Sequence, residues 1–118
     1  MAPGREPDQR NGGAVTLEGL PDRLYERFAR VGQALSDPTR LRILNLLAQK
    51  DRSVDELAGM LDHSSANTSS HLKKLKHVHL VESRKQGRRV IYSLAGQPAL
   101  QLWLTLRDMG MAALPDVR

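Results

Sequence analysis

The sequence predicts a mainly α-helical domain with a small β-hairpin, in the element order α-α-α-α-β-β-α. Five stretches repeat apolar residues every three or four positions, the spacing of one face of a helix. A further stretch, LVESRKQGRRVIYSLA, places β-branched and aromatic residues on both sides of a turn signal at Gln86–Arg88, as in a hairpin. The length of 118 residues fits a single domain.

Composition sets the boundaries of this domain and excludes several kinds of site. Residues 1–20 are rich in Gly, Pro, Arg and Asp and lack an apolar period, so we expect a disordered tail there and the folded domain over residues 21–114. The chain has no cysteine, which excludes disulfides and thiolate metal sites. No apolar run approaches the roughly 18 residues of a membrane span. We therefore expect a cytoplasmic protein with no membrane partner.

Local signals support the first three helices. The first helix has one apolar stripe, formed by Leu24, Phe28, Val31 and Leu35. The second, SDPTRLRILNLLAQK, can be capped by Asp37, with Pro38 at its first position, and is apolar around most of its circumference, so we expect it to be central. In the third, SVDELAGMLDH, Ser53 and Glu56 have the spacing of a capping box.

The fourth helix begins in the stretch HSSANTSSHLKKLK. Ser64 is a suitable N-cap, and Ala66, Leu72 and Leu75 mark the predicted buried side. The opposite face is formed by residues at i, i+3, i+4 and i+7, namely Asn67, Ser70, His71 and Lys74. The exposed face of this helix is therefore almost entirely hydrogen-bonding.

The last helix is apolar on two sides. One face carries Leu100, Trp103, Leu104 and Met111, and another carries Leu102, Leu106 and Met109. A terminal helix of this kind must bury both faces. One face can cover the core of its own chain, and the other indicates a second protomer, most simply in a two-fold dimer.

Positive charge is concentrated in one contiguous third of the chain. The formal net charge of the chain is +5, and residues 64–94 hold seven Lys or Arg and one acid. This distribution favours a polyanionic partner. Two helices with a brief break followed by a basic hairpin form a winged helix-turn-helix, which suits double-stranded DNA because a helix fits the major groove.

The predicted DNA contacts fall into two groups. Hydroxyl and amide groups near the helix N-terminus can bond base edges and phosphates, with lysines following for backbone charge: Ser64, Ser65, Asn67, Thr68, Ser69, Ser70, Lys73 and Lys74. The wing residues can reach phosphates or a narrow minor groove: Arg84, Lys85, Arg88 and Arg89.

From about Phe28 to Leu106 the chain resembles the ArsR/SmtB family of bacterial repressors. The matching segments are ALSDPTRLRILNLL, SVDELA, ANTSSHLKKLKHVHLVESR and QGRRVIYSLA. The resemblance implies a homodimer through the first and last helices, and repression released by an inducer. It implies that Ser65, Asn67, Ser69, Ser70 and His71 face DNA, although His71 has a structural alternative. On this basis the predicted dimer interface contains Leu24, Phe28, Leu102, Trp103, Leu106 and Met109.

The departures from the family concern the signal that is sensed. Ser53 and Asp55 stand where many relatives have Cys-x-Cys. The zinc-type ligands of other relatives correspond to Gly96 and Pro98 and to positions near Met109 and Ala112. Persulfide sensing needs paired cysteines, which the chain lacks. These three sensing chemistries are therefore not expected.

Two alternatives for regulation stay open at this point. A nickel or zinc site could use nitrogen and oxygen ligands at a non-standard place; the candidate ligands are His63, His71, His77 and His79, with Asp62 or Glu82, or Asp8 across a dimer. A partner protein could instead bind the last helix. An enzyme is not expected, because neighbouring residues Ser70 and His71 do not face each other in a helix and no phosphate-binding glycine motif occurs.

Overall fold

The computed structural model describes residues 19–114, and the tail predicted for residues 1–20 lies outside them except for Gly19 and Leu20. Five helices and three short strands occur in these residues: α1 (Asp22–Ala34), α2 (Pro38–Gln49), β1 (Arg52–Ser53), α3 (Val54–Leu61), α4 (Ser65–His77), β2 (Val81–Gln86), β3 (Arg89–Leu94) and α5 (Gly96–Ala113). The predicted order of helices and hairpin is confirmed, and β1 is an addition to it. No helix in the described part of the chain is long and apolar enough to cross a membrane.

Helix starts follow the predicted capping chemistry. The Asp37 carboxylate accepts from the Arg40 backbone N–H at 3.0 Å, with Pro38 opening α2. Ser53 and Glu56 form the reciprocal capping box of α3, at 2.8 and 3.1 Å. The Ser64 hydroxyl accepts from the Asn67 N–H at 3.0 Å at the start of α4. Each cap satisfies an otherwise unpaired N–H and so fixes where its helix begins.

The core is aliphatic, and α2 lies at its centre as predicted. Helix α2 contacts α3, α4, α5 and the strand β3. Fully or almost fully buried side chains come from every one of the central elements: Ile43, Leu44, Leu47, Leu57, Leu72, Leu75, Val81, Tyr92 and Ala99. This shared core holds α4 and the hairpin in fixed positions relative to each other.

The three strands form one antiparallel sheet in the order β1-β3-β2. Gln86 is opposite Arg89, so the hairpin closes through two residues, of which Gly87 has a φ of 65°. Glycine suits this first turn position because it has no Cβ to oppose a positive φ. Strand β1 pairs with β3 through Arg52 and Ser53, next to the start of α3. The sheet therefore joins the wing to the first helix of the helix-turn-helix.

The turn between α3 and α4 is short and turns sharply at Asp62. This residue has left-handed backbone angles, φ 57° and ψ 46°, which aspartate tolerates better than most side chains. The His63 N–H then donates to the Ala58 carbonyl at 3.0 Å, closing the C-terminus of α3. This geometry confirms the predicted helix-turn-helix.

The buried stripe of α4 begins at Thr68 and not, as predicted, at Ala66. Ala66 is exposed, whereas Thr68 is completely buried together with Leu72 and Leu75. These three residues follow the helical spacing i, i+4 and i+7. The assignment of Ala66 to the buried side is therefore wrong, because tertiary packing selects the stripe that begins with Thr68.

Candidate nucleic-acid interface

The N-terminal half of α4 presents a polar face to solvent. Ser64, Ser65, Asn67 and Ser70 are exposed, and Ser69 is half-buried. Three of these residues already have intramolecular partners. The Ser64 hydroxyl caps α4, the Ser65 hydroxyl donates to the Asp55 carboxylate at 2.9 Å, and the Asn67 amide lies 3.1 Å from Nδ1 of His63. Ser70 has no side-chain hydrogen bond within the described residues. The Ser65 hydroxyl and the Asn67 amide lie at the surface, where a DNA base or phosphate can replace their present partners.

Thr68 does not belong to this face. Its side chain is completely buried between Leu72 and the rest of the core, and its hydroxyl has no hydrogen-bond partner within residues 19–114. A side chain without solvent exposure cannot reach a base edge. The prediction that Thr68 contacts DNA is therefore wrong, and the reason is the phase of the buried stripe.

Replacing Thr68 by valine should raise the free energy of unfolding by about 1 kcal/mol, because a methyl group replaces a buried hydroxyl without a partner. Urea denaturation measures this change. DNA affinity should stay within about twofold of the wild type, since the position does not touch DNA. A large loss of DNA affinity in a stably folded Thr68→Val protein would return Thr68 to the interface.

His71 is held against α2 by a buried arginine. Nη1 of Arg40 lies 3.2 Å from Nδ1 of His71, and the Asp37 carboxylate is 3.8 Å from the same nitrogen. Burial lowers the pKa of His71, which outweighs the opposite influence of the Asp37 charge. The neutral ring can accept the Arg40 N–H at Nδ1 and keep its own proton on Nε2. The structural alternative for His71 thus has a defined partner, while a DNA contact through the rest of the ring stays a prediction.

Arg40 is an important residue that the sequence-based prediction missed. Only 9% of its surface is exposed, and its Nε and Nη2 donate to the carbonyls of Ala34 at 2.7 Å and Gln33 at 3.3 Å. It therefore caps the C-terminus of α1 and contacts α4 through His71. A signal was present, because Arg40 has the same helical phase as the apolar residues Ile43, Leu44 and Leu47.

The lysines at the end of α4 extend toward solvent and the wing. Lys73 and Lys74 are exposed, as expected for phosphate contacts. Lys76 is also exposed and donates to the Ser83 hydroxyl of β2 at 2.7 Å. This bond links α4, the predicted recognition helix, to the wing.

The four basic wing residues divide into two kinds. Arg84 is paired with Asp51 at 3.0 Å, and Arg89 is 3.2 Å from Glu56 and 2.9 Å from the Ser53 hydroxyl. Arg89 thus contacts the capping box of α3. The pKa of Glu56 in that box is lowered mainly by the hydrogen bond from the Ser53 N–H, and the charge of Arg89 lowers it further. Lys85 and Arg88 are exposed at the tip and have no ion pair within residues 19–114. Of the four, Lys85 and Arg88 are the most available for phosphate contacts.

Replacing Arg88 by alanine should weaken binding on all DNA sequences by a similar factor. Losing one phosphate contact should also lower the slope of log affinity against log salt by about 1. Fluorescence anisotropy titrations at several salt concentrations measure both quantities, with exposed Arg42 of α2 replaced by alanine as a control. An unchanged slope in Arg88→Ala would remove the wing tip from the interface.

The residues predicted for the dimer interface lie on two helices, with Leu24 and Phe28 on α1 and Leu102, Trp103, Leu106 and Met109 on α5. Phe28 is 51% exposed, Leu102 37% and Met109 65%, while Leu24 and Leu106 are half-buried. Trp103 is half-buried as well and packs against the core of its own chain. An open hollow of about 600 Å³ runs between α5 and the start of α2, lined mainly by apolar side chains that include Leu41, Trp103 and Met109.

The candidate metal ligands among the described residues do not come together in one chain. Residues 19–114 contain no group of three or more His, Cys, Asp or Glu side chains that could hold a metal ion. The His63 and His71 rings are 6.4 Å apart, but their Nδ1 atoms face Asn67 and Arg40 respectively. The nickel or zinc alternative therefore has no support from the described residues.

Known proteins resemble this chain over most of its length. The family model for the bacterial regulatory proteins of the arsR family matches residues 37–83. The HTH-type transcriptional regulator Rv0324 of Mycobacterium tuberculosis is 36% identical over 86% of this chain, which spans only 46% of that relative. The transcriptional repressor SmtB homolog of Synechocystis is 35% identical over 70% of this chain and 63% of the relative.

A solved structure gives the same result for the fold. The homodimeric winged helix-turn-helix DNA-binding domain of Mb0332 from Mycobacterium bovis superposes with a TM-score of 0.76 at 36% identity, covering 83% of this chain and 94% of that domain. The agreement includes the helix-turn-helix and the wing, which are the elements that carry the exposed polar and basic residues described above. The chain therefore belongs to the ArsR family of DNA-binding winged helix-turn-helix transcriptional regulators.

Proposed function

We propose that the chain is a dimeric transcriptional repressor that binds an inverted-repeat operator. The observation that carries this proposal is the common exposure of Asn67, Ser70 and Lys74 along α4, beside a wing whose tip presents Lys85 and Arg88. Amide and hydroxyl groups can distinguish base edges in the major groove, and the cations can bind the flanking phosphates. Ser64, Ser65, Ser69, His71, Lys73, Arg84 and Arg89 complete the proposed contact set.

A second copy of the chain is the proposed partner of the apolar side chains that α1 and α5 leave accessible. Phe28, Leu102 and Met109 are exposed, and Leu24 and Leu106 are half-buried. Trp103 packs against the core of its own chain. The similarity to the Mb0332 domain, which is homodimeric, favours this partner over an unlike protein. In a two-fold dimer the two α4 helices would enter successive major grooves about 34 Å apart.

Repression is favoured over activation by the similarity to the SmtB homolog, a transcriptional repressor. The signal that releases DNA is proposed to differ from thiolate chemistry, because the chain has no cysteine. The zinc-type site of some relatives also lacks its ligands here, because the corresponding positions are Gly96 and Pro98 and residues near Met109 and Ala112. Of these side chains, only the thioether of Met109 could bind a metal, and it is a weak ligand for zinc. We propose control by a partner protein or a small ligand, with a nickel or zinc site of nitrogen and oxygen ligands as the alternative.

A comparison of Ser70→Ala with the wild type tests specific binding. Ser70 is exposed and has no hydrogen bond to lose within residues 19–114, so the fold should be unaffected. We expect affinity for an operator from the chain's own upstream region to fall about tenfold, and affinity for random DNA to change less than about twofold. Asn45→Ala, an exposed amide of α2, is the control. Equal losses on both DNAs would contradict base recognition by Ser70.

Repression itself needs a reporter gene placed behind the same operator. The wild-type chain should lower its expression, and Ser70→Ala should restore most of it. Increased expression with the wild type would show an activator instead. Release of DNA can then be screened with nickel, zinc, oxidants and small organic ligands added to the purified complex.

A further inference from the structure

A groove lined by basic side chains runs between α1 and the C-terminal half of α4. It consists of two adjoining hollows of about 690 and 590 Å³, which share Arg30, His77 and Val78. The first also contains Arg27 and Lys76, and the second contains Lys73 and Lys74. Among the described residues, no Asp or Glu lines either hollow. The groove therefore has a strongly positive character over its whole length.

The charges in this groove are not neutralised by acidic side chains within residues 19–114. Arg27, Arg30, Lys73 and Lys74 are exposed, and none of them forms an ion pair within residues 19–114. Arg40, which lines the floor, is occupied by the carbonyls of Ala34 and Gln33. Several uncompensated cations from two helices at close range favour an anionic partner with more than one charge.

The groove is continuous with the face of α4 that is proposed to read bases. Asn67, Ser70, Lys74 and His77 follow one another at intervals of three or four residues, so they lie along one side of the helix. The first two are the proposed base contacts, and the last two line the groove beside Arg30. A DNA strand that leaves the major groove along this side of α4 would next meet α1.

We propose that Arg30 of α1 contacts a backbone phosphate of the operator, so that the DNA interface extends beyond the recognition helix and the wing onto the first helix. The phosphate would lie between Arg30 and Lys74, with His77 beside it. The hollow lined by Leu24 and Phe28 is the one that the proposed dimer would cover, so the contact is assigned to the adjoining hollow, which Arg30 and Lys74 both line. This inference rests on DNA binding by α4.

Arg30→Ala tests this inference because Arg30 is exposed and its removal leaves the core intact. At about 0.1 M salt we expect an affinity loss of about three- to tenfold on operator and random DNA alike, and a salt slope lower by about 1. Arg30→Lys should keep most of the affinity, since a phosphate needs charge more than the planar guanidinium shape here. Arg42→Ala, an exposed arginine on α2, should match the wild type. Sedimentation and thermal melting check that each variant is folded and dimeric.

An Arg30→Ala protein with wild-type affinity and salt slope would overturn the inference. Failure of the wild-type chain to bind any DNA in the same titration would instead refute the proposed function.

Discussion

Replacing Arg40 by methionine should lower the free energy of unfolding by about 2–4 kcal/mol. Methionine fills much of the space of the arginine stem but donates no hydrogen bond. The carbonyls of Ala34 and Gln33 at the end of α1 would lose their donors, and Nδ1 of His71 would lose its partner at 3.2 Å. Leaving buried acceptors unpaired costs more than the bonds contributed, and this asymmetry makes the expected effect large.

Urea denaturation at one fixed protein concentration measures the change, because the stability of a dimer depends on concentration. Arg42→Met is the matched control: it makes the same substitution on the same helix at an exposed position and should stay within about 0.5 kcal/mol of the wild type. If Arg40→Met and Arg42→Met unfold at the same urea concentration, the contacts of Arg40 do not stabilise the junction of α1, α2 and α4.

Replacing Phe28 by aspartate should separate the proposed dimer into monomers. Phe28 is 51% exposed and packs edge-on against Tyr25, with ring centroids 5.7 Å apart, on the apolar surface of α1. A carboxylate there would have to be desolvated between two protomers, which costs several kcal/mol. Operator affinity should fall about 100-fold or more, because each half-site would then be bound by an independent monomer.

Analytical ultracentrifugation and DNA titration measure these two effects. Met60→Asp provides the control, since it introduces the same charge at an equally exposed apolar residue, 52% against 51%, on α3 rather than on α1. It should leave the dimer intact. A Phe28→Asp protein that sediments as the wild-type dimer does, or a wild-type chain that is monomeric at micromolar concentration, would refute the assigned interface.

Features governed by local chemistry were predictable from the sequence. The caps at Asp37, Ser53 and Ser64 depend on residues three positions apart, and the hairpin turn depends on one glycine, Gly87, with a positive φ. The order of helices and hairpin follows from apolar periodicity in the same way. Strand β1 was not predictable, because only two residues pair with β3 and their partners, Ile91 and Tyr92, are about 40 positions away.

The site was predictable in outline but not in its internal pairings. The exposed polar face of α4 and the basic wing were identified from sequence. Thr68 was misplaced because its hydroxyl suggested a surface position, although its spacing from Leu72 and Leu75 fits the buried stripe. The bonds of Arg84 with Asp51 and of Arg89 with Glu56 join residues over 30 positions apart. Only the tertiary structure shows that these two arginines already have partners, and that Lys85 and Arg88 have no ion pair with any residue from 19 to 114.

The central claim is that a dimer of this chain reads an inverted repeat with its two α4 helices. Selection of the full-length protein on a random DNA library, followed by hydroxyl-radical footprinting of the enriched sequence, tests it most directly. We predict two symmetric half-sites whose centres are about 10–11 base pairs, or an integral number of helical turns, apart and one dimer bound per site. No enrichment above random DNA, or a single unrepeated half-site bound by one chain, would contradict it.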